Sequence, residues 1–497
     1  MTKICKIVLV DEVNCACLGL SRDHMAYFYE KYGIHTEGYF FSPKFQLGSW
    51  DGKIRYFHKT GKTFITLLDE IVPSIVDLGY EIELQDKRKS LPVTPKPIDE
   101  KFFSHINDDD GKPWKVRDYQ VDMVNALLSA GNGIGIAGTG AGKTSMCAAL
   151  ALTYEQTGNL RSIIIVPDTT LTDQTRKSYE AFGLDVGEYS GAQKDLKHKH
   201  VVATWQTLQN NPQVITEFQM VIVDECQGLR GPVLTKLLND HGKHISYRFG
   251  VTGTLPEGES DAIAVRIAVG SVRYEIPAHE LIKAGHLSTL DIDIVELHVD
   301  LRKEYDLFKE QVKDDPELSK TTYAKFKSSY FPNFTSEKKF LHSQPSRLDW
   351  IANDLVNRSM LSGNVLCLVN GVPFGKKLAA KIDNAVFLHG PDGTEVRQEI
   401  YSRFKDNDNL IVIATVNIAG TGLDITRIFN LVLVDIGKSF IRVIQAIGRG
   451  LRKGGDKDHV FVADICSDLK YSKRHSTKRI SHYKNAKYPY KKRSVDY

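Results

Sequence analysis

The chain has 497 residues, which is long enough for three to four domains with cores of their own. Hydrophobic residues make up 42% of the sequence and charged residues 25%, which is ordinary for a soluble globular protein. The formal net charge is only +4, no run of about 18 uninterrupted apolar residues occurs, and the amino terminus has charges inside its apolar stretch. The composition therefore argues against a transmembrane helix and against a signal peptide.

Seven cysteines occur without a C-x-x-C pair and without a cluster at metal-ligand spacing. Several of them fall inside predicted buried strands or helices. We expect them to be reduced core residues of a cytosolic protein. The predicted localisation is therefore cytoplasmic.

Residues 1–100 precede every motif described below. Within them, residues 40–57 alternate apolar and polar positions, which predicts two strands around a central Asp-Gly turn. Such a hairpin would expose Lys53 and Arg55 beside Trp50, a mixture that could hold a duplex backbone and brace a base pair. The alternative is an ordinary small α+β domain in which Trp50 belongs to the core.

Residues 137–144, Ala-Gly-Thr-Gly-Ala-Gly-Lys-Thr, have the spacing of a phosphate-binding loop, and they lie between a strand-like and a helix-like run. Backbone N–H groups of the glycines would converge on the phosphates of a nucleoside triphosphate, Lys143 would neutralise the β and γ oxygens, and the Thr144 hydroxyl would bind Mg²⁺. The predicted nucleotide-binding residues of this loop are Gly138, Thr139, Gly140, Ala141, Gly142, Lys143 and Thr144.

Residues 220–227, Met-Val-Ile-Val-Asp-Glu-Cys-Gln, predict a buried strand that ends in two adjacent carboxylates. Open α/β sheets bind their ligands at the carboxyl ends of the strands. Asp224 would hold Mg²⁺, directly or through water, and Glu225 would polarise the attacking water. A solvated Asp-Glu pair at a strand end is the alternative.

Residues 411–424 form an apolar run that ends in a glycine-rich stretch, and residues 445–452 follow it. In the second segment Arg449 and Arg452 are three residues apart, so on a helix they share a face. Together they could contact the γ-phosphate and its developing charge, which is the role of an arginine finger. A finger on a separate lobe would make hydrolysis depend on closure. A surface salt bridge is the alternative for such a pair taken alone.

In this order the segments resemble the superfamily 2 helicases and translocases, whose two RecA-like lobes hold ATP between them. The resemblance implies an ATP-dependent helicase with DNA-stimulated hydrolysis, with ATP and Mg²⁺ as cofactors. The implied catalytic residues are Lys143, Glu225, Arg449 and Arg452. Further implied nucleotide contacts are Arg117, Tyr119, Gln120, Gly422 and Asp424.

The same resemblance implies residues that contact DNA and residues that couple hydrolysis to movement. The implied DNA contacts are Pro167, Thr169, Thr204, Trp205, Gln206 and Thr415. The implied coupling residues are Gln227, Thr252, Gly253, Thr254 and Gln445.

Gln227 departs from the usual pattern, because most of these helicases have His or Asp there and Gln is common in superfamily 1. The form Gln445-x-x-Gly-Arg449-x-x-Arg452 nevertheless favours superfamily 2. An amide cannot become charged as an imidazole can, so the way in which hydrolysis is coupled to Thr252 stays open.

Buried strand-like runs alternate with helical segments, a pattern typical of doubly wound sheets. We therefore expect an α/β fold, with two RecA-like doubly wound parallel-sheet lobes and a small N-terminal α+β accessory domain. The expected divisions are an accessory duplex-DNA-binding domain at 1–100, an ATP-binding lobe at 101–275, a connecting or inserted segment at 276–344, and a C-terminal lobe with a basic tail at 345–497.

The tail, residues 470–497, contains ten Lys or Arg and one acidic residue, so its net charge is +9 and that of the remainder is −5. Tyrosines are interleaved with these cations, and such a segment can bind phosphates and stack on bases. The alternative is a solvated, partly disordered tail whose charge only aids solubility.

Residues 38–55, followed by a helicase core, look like the N-terminal domain of phage UvsW-type helicases. This narrower resemblance implies an enzyme of phage-type replication, recombination and repair that migrates junctions, regresses forks and unwinds R-loops. The expected partner is branched DNA, such as forks and four-way junctions, and not a membrane. We also expect a monomer, with single-stranded-DNA-binding or recombination proteins as candidate partners.

Two other activities stay open at this point. A double-strand DNA translocase without strand separation would share the motor, and an RNA-directed superfamily 2 helicase would share the motifs. A binding protein with a vestigial ATP site is disfavoured, because Lys143, Glu225, Arg449 and Arg452 are all present.

Overall fold

The computed structural model describes residues 3–89, 93–108, 111–191, 193–230, 232–256, 258–390, 392, 396, 399–400, 402–404, 407–416, 427–437 and 457–497. The chain divides into two compact units, of which the first comprises Met1–Gly138 and Gly142–Ile276 and the second comprises Thr139–Ala141 and Pro277–Tyr497. Within the described residues, no helix has both the length and the apolar character needed to cross a membrane.

The amino-terminal domain is a four-stranded sheet covered on one face by helices. Its elements are β1 (Lys3–Leu9), β2 (Asn14–Leu18), α1 (Arg22–Lys31), β3 (Gly33–His35), α2 (Pro43–Gln46), β4 (Lys53–Arg55), β5 (Lys62–Phe64), α3 (Leu68–Asp77) and β6 (Tyr80–Asp86). The sheet has the order β5-β2-β1-β6, with β1 and β6 parallel. Phe28 of α1 and Ile71 and Ile75 of α3 pack on its buried face.

The hairpin predicted for residues 40–57 is wrong. The chain instead forms a 3₁₀ turn and α2, and β4 pairs antiparallel with β3. Pro43 favours the start of α2, because a proline at the first helical position removes no helical hydrogen bond. Trp50 Nε1 donates to Lys53 O at 2.9 Å, so the Asp-Gly turn closes a local loop before β4 and does not join two strands.

The first lobe is an eight-stranded sheet flanked by helices. Its elements are α4 (Asp118–Ala130), β7 (Asn132–Ala137), α5 (Lys143–Gly158), β8 (Ser162–Val166), α6 (Thr169–Ala181), β9 (Val186–Ser190), β10 (Gln193–Lys194), β11 (His200–Thr204), α7 (Trp205–Asn210), β12 (Met220–Asp224), α8 (Pro232–Lys236), β13 (Tyr247–Thr252), α9 (Glu259–Val269) and β14 (Val272–Ile276). The order is β10-β9-β11-β8-β12-β13-β7-β14, parallel except for the short β9–β10 pair.

Five strands, β11, β8, β12, β13 and β7, form the centre of this sheet, and two of them, β7 and β12, are the strand-like runs predicted before the phosphate-binding loop and the acidic pair. Nearly all their residues are buried, as expected for parallel strands that helices cover. Because the strands are parallel, the segments that follow them meet at one edge of the sheet. That edge positions the candidate site.

The amino-terminal domain packs on α9 of the first lobe. Ile267 of α9 belongs to the domain's hydrophobic core. Tyr56 OH donates to Ser260 O at 3.2 Å, and Arg266 Nη2 lies 2.5 Å from Glu70 Oε1. The domain is therefore attached to the helix that follows the Thr252–Thr254 motif.

The second lobe is a seven-stranded, fully parallel sheet in the order β17-β18-β16-β19-β20-β15-β21. Its elements are α10 (Ala278–Lys283), β15 (Thr289–Leu297), α11 (Arg302–Gln311), α12 (Tyr323–Ser329), α13 (Phe334–Leu341), α14 (Pro345–Ser362), β16 (Val365–Val369), α15 (Val372–Ala379), β17 (Val386–Leu388), β18 (Ile411–Thr415), β19 (Asn430–Val434), β20 (His459–Ser467), α16 (Lys470–Asn485) and β21 (Tyr490–Val495).

Two segments have more structure than the sequence suggested. The region expected to connect the lobes supplies β15 to the second sheet, and its helices α11 to α13 surround a small core of Phe326, Phe331 and Leu341. The basic tail forms α16 and β21, which excludes the alternative of a partly disordered tail. The two sheets and the small N-terminal domain confirm the predicted α/β class with two RecA-like lobes.

Candidate active site

The phosphate-binding loop lies between β7 and α5. Gly140 and Gly142 have φ values of +88° and +80°, a region that glycine enters without strain. A Cβ on Gly142 would also collide with the amide of Gln120, so this position needs glycine for two reasons. Lys143 Nζ lies 3.4 Å from Ala137 O, at the base of the loop.

Arg117, Tyr119 and Gln120, which are predicted nucleotide contacts, lie against this loop. They occupy the amino terminus of α4, where Gln120 Oε1 accepts from the Arg117 N–H at 3.0 Å and Arg117 Nη1 donates to Tyr119 OH at 3.0 Å. The Gln120 amide faces Gly142. The structure thus brings the predicted base-binding and phosphate-binding segments together.

Asp224 is the last residue of β12 and Glu225 follows it, and β12 is separated from the loop strand β7 by β13. Burial and the charge of Glu225 raise the pKa of the Asp224 carboxyl to about 6, while the charge of Lys143 lowers it. Glu225 has a φ of +52°, a conformation that costs a non-glycine residue roughly 1–2 kcal/mol. Without a ligand, the buried charge of Asp224 and the strained backbone of Glu225 both destabilise the folded site. A bound cation would favour the charged form of Asp224.

The donor set fits a magnesium ion that is shared with a nucleotide. Among the described residues, no group of three or more His, Cys, Asp and Glu could form a protein-only metal site. Mg²⁺ in phosphate-transfer enzymes commonly takes one or two protein ligands and completes its shell with phosphates and water. Thr144 and Asp224 could supply that share of the ligands.

Gln227 links the acidic pair to the Thr252 motif. Its Nε2 donates to Glu225 Oε2 at 2.8 Å, and its Oε1 accepts from the Thr252 hydroxyl at 2.5 Å. The Thr252 oxygen in turn accepts from the Thr254 N–H at 3.1 Å. The amide therefore needs no charge, because its two ends serve as donor and acceptor. We call this chain of hydrogen bonds the Glu225–Thr254 relay.

Three family models match successive parts of the chain. They are described as DNA helicase UvsW, N-terminal, at residues 11–85, Type III restriction enzyme, res subunit, at 114–257, and Helicase conserved C-terminal domain at 352–454. The ATP-dependent DNA helicase uvsW of Enterobacteria phage T4 is 26% identical over 500 residues, which cover 94% of each chain. The chain is a superfamily 2 helicase that resembles the phage UvsW helicase. It is therefore an ATP-dependent enzyme.

Other relatives agree with this assignment. The DNA 3'-5' helicase XPB of Kineococcus radiotolerans is 23% identical, and the match covers 69% of this chain and 58% of the relative. The structure of S. cerevisiae Dbp5 bound to RNA and ADP BeF3 has a TM-score of 0.52 and 14% identity, covering 77% of the helicase and 90% of that chain. The second likeness supports the fold alone.

The predicted DNA contacts of the first lobe lie at the ends of β8 and β11. Pro167 O accepts from Gln206 Nε2 at 3.1 Å, which holds the two segments together. Thr169 and Gln206 are exposed. Thr204 is buried and caps α7 by accepting from the Thr207 N–H, so its hydroxyl is already engaged. These residues stay predicted DNA contacts, with Thr169 and Gln206 the accessible ones.

In the second lobe of the helicase, Thr415 ends β18 at the corresponding edge of the sheet and is largely buried. The other predicted residues of this lobe lie outside the described residues, and they are Gly422, Asp424, Gln445, Arg449 and Arg452.

The sequence reasoning missed two buried arginines of the second lobe. Arg347 Nη2 donates to Asp435 Oδ1 at 2.9 Å, directly after β19. Burial would raise the pKa of Asp435, but Arg347 and His342 lower it to about 2. Arg479 is paired with Asp464 and donates to Ile436 O at 2.8 Å. The available signal was an acidic residue directly after one buried strand, Asp435 after β19, and inside another, Asp464 in β20, since a buried carboxylate requires a cation nearby.

In the amino-terminal domain, the three predicted DNA contacts are partly used by local structure. Arg55 Nη2 lies 2.5 Å from Asp51 Oδ2 and 3.3 Å from Glu30 Oε1, with its guanidinium over the Tyr29 ring. Lys53 Nζ lies 3.5 Å from Glu30 Oε2. The Trp50 indole N–H is bonded to the backbone, as described above.

Proposed function

We propose that this helicase uses ATP hydrolysis in its first lobe to remodel branched DNA by branch migration, fork regression and unwinding of junctions or R-loops. The observation that supports this most is the connection inside the first unit. The Glu225–Thr254 relay joins the hydrolysis site to the segment before α9, and the amino-terminal domain packs on α9. A change at the nucleotide can thus reach a domain outside the motor. The relative named ATP-dependent DNA helicase uvsW supports DNA as the substrate.

In the proposed cycle, Lys143 neutralises the nucleotide phosphates and Glu225 accepts a proton from the attacking water. Thr144 and Asp224 hold Mg²⁺, which supplies positive charge to the phosphates when bound. Arg449 and Arg452 remain the predicted cations for the γ-phosphate. Double substitution of both to Ala should cost far less than the product of the single losses, because both would act on one transition state.

The amino-terminal domain offers a surface for an unpaired base or a second duplex arm. Phe40, Phe41 and Leu47 are 52%, 75% and 82% exposed, although they are large apolar side chains. Lys44 lies between them in the sequence and is exposed. Exposed aromatic rings next to cations are what base stacking and phosphate contact require. We define this set as the α2 surface, and we propose it in place of Arg55 as the junction contact.

The test compares two double variants of the whole chain. Phe41→Ala/Lys44→Glu changes the α2 surface, whereas Leu84→Ala/Lys62→Glu makes the same kinds of change at exposed positions elsewhere in the domain. The first variant should process a four-way junction more slowly than wild type at equal salt, with little change on a forked duplex. Equal activity of both variants and wild type on both substrates would reject the α2 surface as the junction contact.

A second candidate function has one specific support. The family model that matches the first lobe is described as the res subunit of a type III restriction enzyme, which suggests translocation on duplex DNA without strand separation. Displacement of a third strand from a triplex, without release of either duplex strand, would favour this candidate over the first.

A further inference from the structure

The exposed side of α16 has an unusual charge distribution. The helix contains six Lys or Arg and no carboxylate. Lys470, Lys473 and Arg474 are exposed near its amino terminus, and none of them forms an ion pair with a carboxylate among the described residues. Arg479 differs, because it is buried and neutralised by Asp464.

This distribution opposes the stability of the helix. The amino terminus of a helix has a partial positive charge, so cations there are unfavourable by roughly 0.3–1 kcal/mol each. Lys470 and Arg474 are also four residues apart, a spacing at which like charges repel on a helix surface. Charged residues that destabilise their own helix and gain no compensating contact are expected at functional surfaces.

Contacts on the other side hold α16 in place despite this repulsion. Glu337 of α13 is fully buried, and its two oxygens accept from the backbone N–H groups of Tyr471 and Ser472 at 2.9 and 2.6 Å. Phe334 of α13 contacts the His475 ring at 4.4 Å between centroids. Helix α13 is thereby fixed beside the first two turns of α16, and Lys338, whose Nζ lies over the Phe334 ring, adds a further cation there.

The cluster also lies beside the carboxyl ends of the strands, where DNA is expected. Strands β18, β16, β19 and β20 are parallel and in register, so Thr415 and the end of β20 are at the same edge. Helix α16 starts three residues after β20 ends, at Lys470. The cations therefore lie at the edge that holds the Thr415 candidate contact.

We infer that Lys338, Lys470, Lys473 and Arg474, the α13–α16 surface, bind the phosphate backbone of the DNA substrate. This inference rests on the proposed function, since it takes DNA as the ligand. A regularly spaced polyanion fits a row of cations that form no ion pair among the described residues, and the counterions that they release from the DNA would make binding depend on salt. The buried Glu337 cap fixes the backbone of this row, so that little backbone ordering is left for binding.

The experiment compares Lys473→Glu/Arg474→Glu with a matched control, Lys487→Glu/Lys491→Glu. The control makes the same charge change in the same tail, but just before and within the edge strand β21, which β15 separates from β20. Binding of a duplex oligonucleotide is measured over a range of salt concentrations. The first variant should bind more weakly, and its log–log salt slope should fall by about 0.9 for each phosphate that the protein no longer neutralises, while the control keeps the wild-type slope.

Folding is checked by thermal unfolding. The first variant should unfold at the same temperature as wild type or at a higher one, because carboxylates replace cations at a helix amino terminus. The inference would be overturned if wild type and both variants had equal salt slopes, or if both variants bound DNA equally more weakly. It would also be overturned if the first variant lost binding to an acidic protein but not to DNA. A wild-type chain that binds no DNA would instead refute the proposed function itself.

Discussion

Two charged clusters in the first unit differ in how well their charges are matched. At the end of β12, Asp224 and Glu225 are adjacent, and burial together with the charge of Glu225 raises the pKa of Asp224 to about 6. In the amino-terminal domain, Arg55 lies between two carboxylates and over an aromatic ring. The first cluster has an excess of negative charge, and the second is balanced by its own neighbours.

The difference separates a site whose charge calls for a bound cation from a site whose charge is balanced by its own carboxylates. The acidic pair would gain from a cation, and Glu225 also has a strained backbone. Arg55 would lose its partners if it turned toward DNA. Substitutions should therefore have opposite effects on stability in the two clusters, and only the first cluster should affect hydrolysis.

The largest effect is expected from Glu225→Gln. Turnover of ATP should fall by about 10²–10⁴, because the attacking water loses its proton acceptor, while nucleotide affinity is kept. Steady-state hydrolysis and equilibrium binding of ATP measure the two quantities. Glu217→Gln, at an exposed position in the same lobe, is the control. A parallel fall in affinity and turnover would show that Glu225 is structural.

Arg55→Glu should lower the free energy of unfolding by about 1–3 kcal/mol, since it removes the cation–π contact and puts a third carboxylate next to Glu30 and Asp51. Lys44→Glu in the same domain should change it by less than about 0.5 kcal/mol. Denaturant unfolding of the whole chain measures both. An Arg55→Glu variant as stable as wild type would make this residue a free DNA contact again.

A smaller expected effect is the pH dependence of folding stability that Asp224 causes, and its sign distinguishes the acidic pair. The pKa of Asp224 is raised in the folded protein, from 3.8 to about 6, so between these pH values the folded state binds more protons than the unfolded state. Stability of the nucleotide-free and metal-free protein should therefore fall as pH rises through this window. Asp224→Asn should remove this slope and unfold at a higher temperature than wild type at pH 7.

The readout for Asp224→Asn is the unfolding temperature between pH 4 and 7, together with hydrolysis in the presence of Mg²⁺, which the variant should lose. Destabilisation at pH 7 would mean that the Asp224 carboxylate stabilises the fold, and would contradict the account of a site that needs a cation.

The sequence predicted the nucleotide site well, for a physical reason. Apolar runs that helices cover form parallel strands, and parallel strands bring the segments that follow them to one edge. Once β7, β12 and β13 were assigned, the proximity of Lys143, Asp224 and Thr252 followed. Their chemistry was already contained in short contiguous motifs.

The partners of single charges could not be predicted in the same way. Arg55 pairs with Glu30, Arg347 with Asp435 and Arg479 with Asp464, and no periodic pattern joins these positions. The edge strand β21, Tyr-Lys-Lys-Arg-Ser-Val, was missed because charged side chains are typical of edge strands but hide the strand pattern. The sequence left open how Gln227 takes part in coupling, because only the folded structure shows that its amide bonds in both directions.

The most direct measurement of the central claim is the number of ATP molecules hydrolysed for each step of branch migration in Thr252→Val. This substitution keeps the shape of the side chain but removes the hydroxyl that joins Gln227 to Thr254 in the Glu225–Thr254 relay. Thr153→Val, which removes a hydroxyl bonded to Ala149 O within α5, is the control. We predict that Thr252→Val hydrolyses ATP within several-fold of wild type but migrates junctions far less per ATP, whereas the control keeps the wild-type ratio. An unchanged ratio in Thr252→Val would contradict the claim that the relay couples hydrolysis to DNA remodelling.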